Sequence, residues 1–569
     1  MARDLAERFM RSLSGIGLVL GVLFFAAALT PTLVPRTYVI QGILAGAAFA
    51  SGYLIGVFIR WIWLYLELPA VNEHTRRRLN TVAITASILV ALWFLWQATE
   101  WQNSIRLLMD MEPLDSGHPF LLSLIAIVTF VVLLCIGRGF KFLAVRSSRY
   151  GARYIPRRVA NVLGVAIAVV VFWLLATDVF WRFGFNAIDA SFREFDALIE
   201  PASPQPKDAN KTGSAASLIG WKSIGRAGRE FIASGPSAET ISQFTGKPAQ
   251  EPIRVYVGLQ DQRPAMERAK LALAELQRVG AFHRSVLVVA VPTGTGWLDP
   301  AATDSLEYLH HGDVATVALQ YSYLNSPLSL IVEPDRGAEA ANAILTVIYD
   351  HWTRLPRENR PRLYLHGLSL GALNSEASLD LFKIVGDPIN GAVWSGPPFA
   401  NSLWRSVTNE RNQGSPAWLP QYRDGSTIRF MNQDGYPEGA EFAPWGPIRL
   451  LYLQYASDSV TFFSPLGFFR QPAWMYQPRG PDVSPELRWY AVVTMLQLLV
   501  DMAFATTTPL GFGHLYAPEH YVEAWRAVTE PTGWNEDQIA RLKSYLRETM
   551  DAALNSAGSV EDAYSNRGG

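Results

Sequence analysis

The sequence predicts two fold classes in one chain: an N-terminal all-α transmembrane bundle of about five spans, then an α/β domain on a mainly parallel sheet. Three observations predict it. Of the 569 residues 49% are hydrophobic and only 17% charged, against about 25% charged in a soluble globular protein. Long apolar runs free of charge are confined to the region before residue 180. Beyond residue 217, short β-branched runs alternate with helical ones. The expected division is residues 1–198 transmembrane, 199–216 linker, 217–555 α/β domain and 556–569 disordered tail. Such a length holds several domains of roughly 100–200 residues each.

The five runs are Gly15 to Val34, Tyr38 to Phe58, Thr81 to Ala98, Phe120 to Ile136 and Val159 to Ala176. Each has roughly the 17–21 residues a helix needs to cross about 30 Å of hydrocarbon. None contains Asp, Glu, Lys, Arg or His, as an anchoring span requires. Without intramembrane acids or bases, the bundle reads as an anchor or lipid-facing platform rather than a transporter. Lys and Arg orient it. The N-terminus (Arg3, Arg8, Arg11), the second loop (Arg60, Arg76, Arg77, Arg78) and the fourth (seven residues from Arg138 to Arg158) are basic. The first and third loops offer Arg36 and Arg106. By the positive-inside rule the basic segments are cytoplasmic, and the chain after about residue 180 lies on the outer side. Trp61, Trp63 and Tyr65, with Trp93, Trp96 and Trp101, fall where interfacial aromatic belts form.

A net charge of −1 argues against a nucleic-acid footprint. The single cysteine, Cys135, excludes an internal disulfide framework or a cysteine-based metal cluster. His310-His311 lacks the ligand spacing of a metal site and reads as a turn. Neither cofactor nor metal is expected.

From about Ser217 the expected strands are Ile253–Val257, Ser285–Val291, Val314–Gln320, Arg362–His366 and Gly391–Ser395. Helices through Ala265–Val279 and Ala338–Thr353, and another from Leu370, lie between them, the pattern of a parallel sheet. The segment Gly367-Leu-Ser369-Leu-Gly371 has the form G-x-S-x-G between a β-rich run and a helical run. A nucleophilic serine needs a sharp strand-to-helix turn, and glycines two residues either side avoid collisions there. The N–H of Leu370 then points at a developing oxyanion. A second donor is expected from Gly294 and Thr295, in Pro292-Thr-Gly-Thr-Gly-Trp297 after an earlier strand. That loop is no phosphate loop, lacking G-K-[ST] and G-x-G-x-x-G.

In such folds an acid and then a histidine follow the serine. Leu450–Tyr455 leads into Asp458, the first choice, with Asp434 as the alternative. Only His514 and His520 lie downstream of both. His514, in a Gly-bearing loop, is favoured; His520, at a helix start, reads as a solvated surface residue. His366 reads as scaffold. The stretch Leu487 to Thr506 is apolar but carries Arg488, Gln497 and Asp501. It reads as a core, cap or in-plane interfacial helix, because a sixth span would separate Ser369 from His514. The aromatic, Pro-rich segment before it, Phe462 to Tyr476, is either a packed lid or a membrane-proximal entrance for an acyl chain.

The motifs PTGTGW (Pro292–Trp297), GDVATVALQYSYLNSPLS (Gly312–Ser329), HGLSLGALNSE (His366–Glu376), YLQYASDSVTFFSP (Tyr452–Pro465) and GHLY (Gly513–Tyr516) resemble a bacterial family of membrane-anchored α/β-hydrolases. In that family a multi-span region precedes a hydrolase domain. The resemblance implies the α/β-hydrolase fold, a bacterial inner-membrane location, and Ser369, Asp458 and His514 matching the family's triad. A helical approach to His514 departs from the common hydrolase pattern. The expected activity is a serine esterase or lipase, with the membrane and a lipid-like acyl ester as partners. Acyl transfer to a sugar or lipid hydroxyl is the nearest alternative, and a non-catalytic membrane scaffold the alternative from another class.

Overall fold

The computed structural model describes residues 13–69, 72–178, 196, 203–324 and 326–556. The expected tail, apart from Ser556, lies outside the described residues. Two units emerge: residues 1–187 with 464–475 and 481–504, and residues 188–463 with 476–480 and 505–569.

The helical unit contains α1 (Gly15–Ala28), α2 (Tyr38–Tyr65), α3 (Glu73–Leu108), α4 (Pro119–Gly151) and α5 (Arg157–Asp178). Four of these, α2 to α5, are long and apolar enough to cross a membrane, which corrects the count of five. The first apolar run is divided. Its helix has 14 residues, about 21 Å at 1.5 Å per residue, and ends before Pro31. A proline there offers no N–H and clashes with a continuing helix. Residues 29–36 continue as irregular backbone, satisfied from inside the unit. Gln41 Nε2 donates to the Ala28 carbonyl at 2.6 Å and Gln497 Nε2 to that of Thr30 at 3.0 Å. Irregular backbone in apolar surroundings persists only with such partners.

Small residues let α1, α2 and α4 pack closely. A side chain at Gly56 would come within 2.6 Å of the Gly17 Cα, and one at Gly52 within 2.5 Å of the Leu20 carbonyl oxygen. A Cβ at Gly46 would lie 2.5 Å from the Ala126 carbonyl of α4. Gly17/Gly21, Gly52/Gly56 and Gly42/Gly46 are G-x-x-x-G pairs, the spacing that brings backbones together without a hydrophobic driving force. Elsewhere in the unit large apolar side chains stay bare: Leu89 of α3, Ile127 of α4 and Val162 of α5 are 62%, 60% and 70% exposed. The stretch expected to be a core, cap or interfacial helix is an 11-residue helix, Val493–Ala503, in the same unit.

The α/β unit holds seven parallel strands: β1 (Ile253–Val257), β2 (Val286–Val291), β3 (Val314–Leu319), β4 (Arg362–Leu368), β5 (Gly391–Ser395), β6 (Ile428–Met431) and β7 (Arg449–Leu453). Their order is β1-β3-β2-β4-β5-β7-β6. Strands β1 to β5 agree with the sequence expectation within two residues at either end. The near-continuous apolar runs reflect burial on both faces, as helices covering both sides of a parallel sheet demand. Strand order reverses between β2 and β4, and the crevice beyond the carboxyl ends of such neighbours is where α/β sheets bind ligands.

Residues 203–216, within the expected linker 199–216, lie against the α/β unit. Arg278 Nη1 donates to the Ala209 carbonyl at 2.6 Å, and Ser217 Oγ to Glu275 Oε1 at 2.6 Å. Their polar composition suits turns that lie on a surface as well as turns that cross a gap.

Candidate active site

Strand β4 ends at Leu368, and a helix, Leu370–Ala377, begins after one residue. That residue is Ser369, with φ 56° and ψ −126°, backbone angles that cost a non-glycine residue about 1–3 kcal/mol. Two hydrogen bonds hold it: its N–H donates to the Ser395 carbonyl at 3.0 Å, and its carbonyl accepts the Leu373 N–H at 3.1 Å. The flanking glycines have separate steric reasons. A Cβ on Gly371 would sit 2.2 Å from the Val291 carbonyl oxygen, and one on Gly367 would strike the Gly371 backbone at 2.3 Å. The helix therefore starts hard against the end of β2 and its Pro292–Trp297 loop. Leu370 is the first helical residue, and the first N–H groups of a helix have no partner within it.

The Pro292–Trp297 loop closes on itself: Thr293 N–H donates to the Trp297 carbonyl and Gly296 N–H to that of Thr293, both at 3.0 Å. The Gly294 N–H is directed at the Ser326 hydroxyl, 3.4 Å away. A Cβ on Gly294 would meet the Leu324 carbonyl at 2.6 Å, so this glycine serves a close backbone approach. The Thr295 carbonyl accepts from Gln320 Nε2 at 3.4 Å.

Asp458 follows β7 and caps the short helix Ser459–Phe462. Five donors converge on its fully buried carboxylate. Val460 N–H (2.9 Å) and Thr461 N–H (3.3 Å) reach Oδ1; the Thr461 hydroxyl (3.1 Å), the Tyr516 hydroxyl (2.8 Å) and His514 Nδ1 (2.7 Å) reach Oδ2. Since a carboxylate only accepts, Nδ1 carries the proton. His514 Nε2 is left as an acceptor, buried and with no hydrogen-bond partner among the described residues. The imidazole lies against Gly396, where a Cβ would be 2.7 Å from its Cε1. Gly396 directly follows Ser395, whose carbonyl holds Ser369, so the end of β5 brings Ser369 and His514 to one place.

The alternatives fall elsewhere. Asp434 is exposed in the turn after β6, its N–H bonded to Asn432 Oδ1 at 3.1 Å. His520 begins a helix as expected, but it is not solvated: its Nδ1 accepts from the Tyr455 hydroxyl. Burial pushes its pKa down to about 3. His366 donates Nδ1–H to the Val393 carbonyl at 2.8 Å, and burial lowers its pKa to about 4. His310 contacts the Thr529 hydroxyl at 2.9 Å and His311 stacks on Trp534. Among the described residues no group of three or more His, Cys, Asp or Glu could hold a metal ion.

Three contributors escaped the sequence reading: Tyr516, Thr461 and Gly396. The first two had a local signal. Thr461 stands three residues after Asp458, the spacing of a side-chain cap, and Tyr516 stands two after His514. Gly396 had none, because its role is to make room for a ring 118 positions away along the chain.

The alpha/beta-hydrolase family matches residues 253–542, and the alpha/beta-hydrolase family N-terminus matches residues 29–236. No curated protein and no solved structure matches the chain. With its parallel sheet, its elbow after β4 and a family match running from the first strand into the last helix, the chain belongs to the alpha/beta-hydrolase family.

Proposed function

We propose that this protein is a membrane-anchored serine hydrolase that cleaves a lipid-like acyl ester through Ser369, His514 and Asp458. One observation carries the reading: His514 turns Nδ1–H to Asp458 at 2.7 Å and keeps a buried, unpartnered Nε2. It does so beside the turn that holds Ser369. A free imidazole lone pair near a strained serine is the arrangement of a general base and its nucleophile.

Ser369 Oγ attacks the ester carbonyl while His514 Nε2 accepts its proton, and Asp458 stabilises the imidazolium that forms. Negative charge moves to the carbonyl oxygen, met by the Leu370 N–H and an amide of the Pro292–Trp297 loop. Thr295 is the better placed of the two expected there, since the Gly294 N–H already faces Ser326. The tetrahedral intermediate expels the alcohol, which takes the proton from His514. Water activated by His514 then releases the acid from the acyl-enzyme. The basic α2–α3 and α4–α5 connections favour the outer side of a bacterial inner membrane for the chain beyond α5. Apolar spans and the aromatic segment before His514 favour a lipid-like acyl chain.

The test is fluorophosphonate labelling of detergent-solubilised protein. Wild type should label, and both Ser369→Ala and His514→Ala should lose the signal. Folded wild type that stays unlabelled refutes the reading. Labelled protein is then assayed on acyl esters with and without hydroxyl acceptors, where acyl-acceptor product would identify a transferase.

A further inference from the structure

The Pro292–Trp297 loop after β2 is gripped by two side chains of the α/β unit that the mechanism above does not use. Gln320 directly follows β3 and is fully buried. Its Oε1 accepts the Leu259 N–H at 2.9 Å, while Nε2 donates to the Thr295 carbonyl at 3.4 Å and to the Ser322 carbonyl at 3.2 Å. An N–H on one side and two carbonyls on the other leave the amide one orientation. Its backbone is tied as well: the Gln320 N–H donates to the Val257 carbonyl at 3.0 Å, and its carbonyl accepts from Arg268 Nη1 at 2.6 Å.

Tyr256, in β1, takes the next carbonyl of the loop. Its side chain is fully buried, and its hydroxyl donates to the Gly296 carbonyl at 2.7 Å. Burial pushes the phenol well up, so it stays a donor at neutral pH. Gly296 makes room for both side chains. At its φ of 89°, a Cβ would lie 2.5 Å from the Tyr256 hydroxyl oxygen and 2.9 Å from Gln320 Nε2.

These contacts surround the one amide of residues 293–296 that is left free. The Thr293 N–H donates to the Trp297 carbonyl, the Gly294 N–H faces the Ser326 hydroxyl, and the Gly296 N–H donates to the Thr293 carbonyl. The Thr295 N–H has no partner among the described residues. The peptide plane after Thr295 is fixed at both ends, its carbonyl by Gln320 and its N–H by the Thr293 carbonyl. Tyr256 fixes the plane after that. A donor aimed before charge develops needs no reorganisation during the reaction. Side chains that lock such a donor without touching substrate supply that aim.

We propose that Gln320 and Tyr256 are positioning residues that aim the Thr295 N–H at the oxyanion formed on Ser369. This rests on the serine-hydrolase reading above. The full-length protein in detergent is assayed with a p-nitrophenyl ester, with the fluorophosphonate and with an alkyl trifluoromethyl ketone. Ser369 Oγ adds to the ketone carbon, its proton passes to His514 Nε2, and the carbonyl oxygen becomes the oxyanion. Ki for the ketone therefore reads the oxyanion contacts, which KM for the ester does not.

The variants are Gln320→Met, which keeps the side chain's length without its N–H groups, Tyr256→Phe and Tyr349→Phe. The last removes an equal 2.7 Å hydroxyl–carbonyl bond, to Asp387, ahead of β5 at the amino ends of the strands. Gln320→Met should lower kcat about 10- to 100-fold and Tyr256→Phe about 3- to 10-fold, with KM within about twofold. Ki for the ketone should rise by the factor by which kcat/KM falls, and Tyr349→Phe should leave kcat and Ki unchanged. Melting temperature shows which variants fold. Folded Gln320→Met and Tyr256→Phe with wild-type kcat overturn the proposal, as does a fall in kcat with unchanged Ki or an equal fall in Tyr349→Phe. If Gln320→Met does not fold, Tyr256→Phe decides by the same outcomes. Wild type inert to fluorophosphonate and ketone removes the hydrolase reading and the proposal with it; labelled wild type with unchanged variants removes only the positioning role.

Discussion

Tyr516 contributes one of the five hydrogen bonds on Asp458, from the segment that also carries His514. A hydrogen bond to a charged group is worth about 1.5–3 kcal/mol, so Tyr516→Phe should lower kcat roughly tenfold and leave KM unchanged. Steady-state ester hydrolysis measures this, and an unaltered kcat would show that the other four donors suffice. Ser369 permits a cleaner test of strain. At φ 56° glycine pays no steric cost and alanine does. Both variants lack the hydroxyl, so both lose labelling, but Ser369→Gly should be about 1–2 kcal/mol more stable than Ser369→Ala. Equal melting temperatures would mean the elbow is relaxed. The serine was legible because its glycines recur at a short, fixed spacing. Asp458 and His514 were legible only through chain order, since 56 positions separate them.

At the scale of elements, two glycines meet different surroundings. Gly371 would put a Cβ 2.2 Å from the Val291 carbonyl, while Gly386 has open space around it. Gly371→Ala should therefore destabilise the protein by at least about 1–3 kcal/mol, as overpacking does, whereas Gly386→Ala should leave the melting temperature near wild type. In the helical unit, Gly56→Leu should separate α1 from α2 and lower the detergent melting temperature, because its Cβ would meet the Gly17 backbone. A wild-type melt for Gly56→Leu would show that the two helices need no close approach. The first apolar run misled because hydropathy counts residues and does not see Pro31 end the helix. Its second half reads as membrane-spanning by composition but is buried irregular backbone, satisfied by Gln41, Gln497 and Asp501.

At the scale of the molecule, three histidines of the α/β unit are held neutral by burial: His310 and His520 at about 3 and His366 at about 4. Unfolded histidine titrates near 6.5, so between about pH 4 and 6.5 the unfolded chain binds more protons. Stability then rises with pH across that window; it is fully present above about 6.5 and is lost as pH falls. From pH 6.5 to 5 each contributes a loss of about 2 kcal/mol. Melting temperature in detergent should drop between pH 7 and pH 5, and a flat or rising profile would contradict the burial of these rings. Much of this architecture was readable in advance. Apolar runs and β-alternation depend on neighbouring residues, so four of the five expected helices and the order of strand and helix were legible, as was the serine elbow. Tertiary structure alone decided which acid meets which histidine, the return of residues 464–475 and 481–504 to the helical unit, and the pairing of Arg36 with Asp501. Those depend on contacts between positions as far as 465 residues apart, and local propensity carries no information at that range.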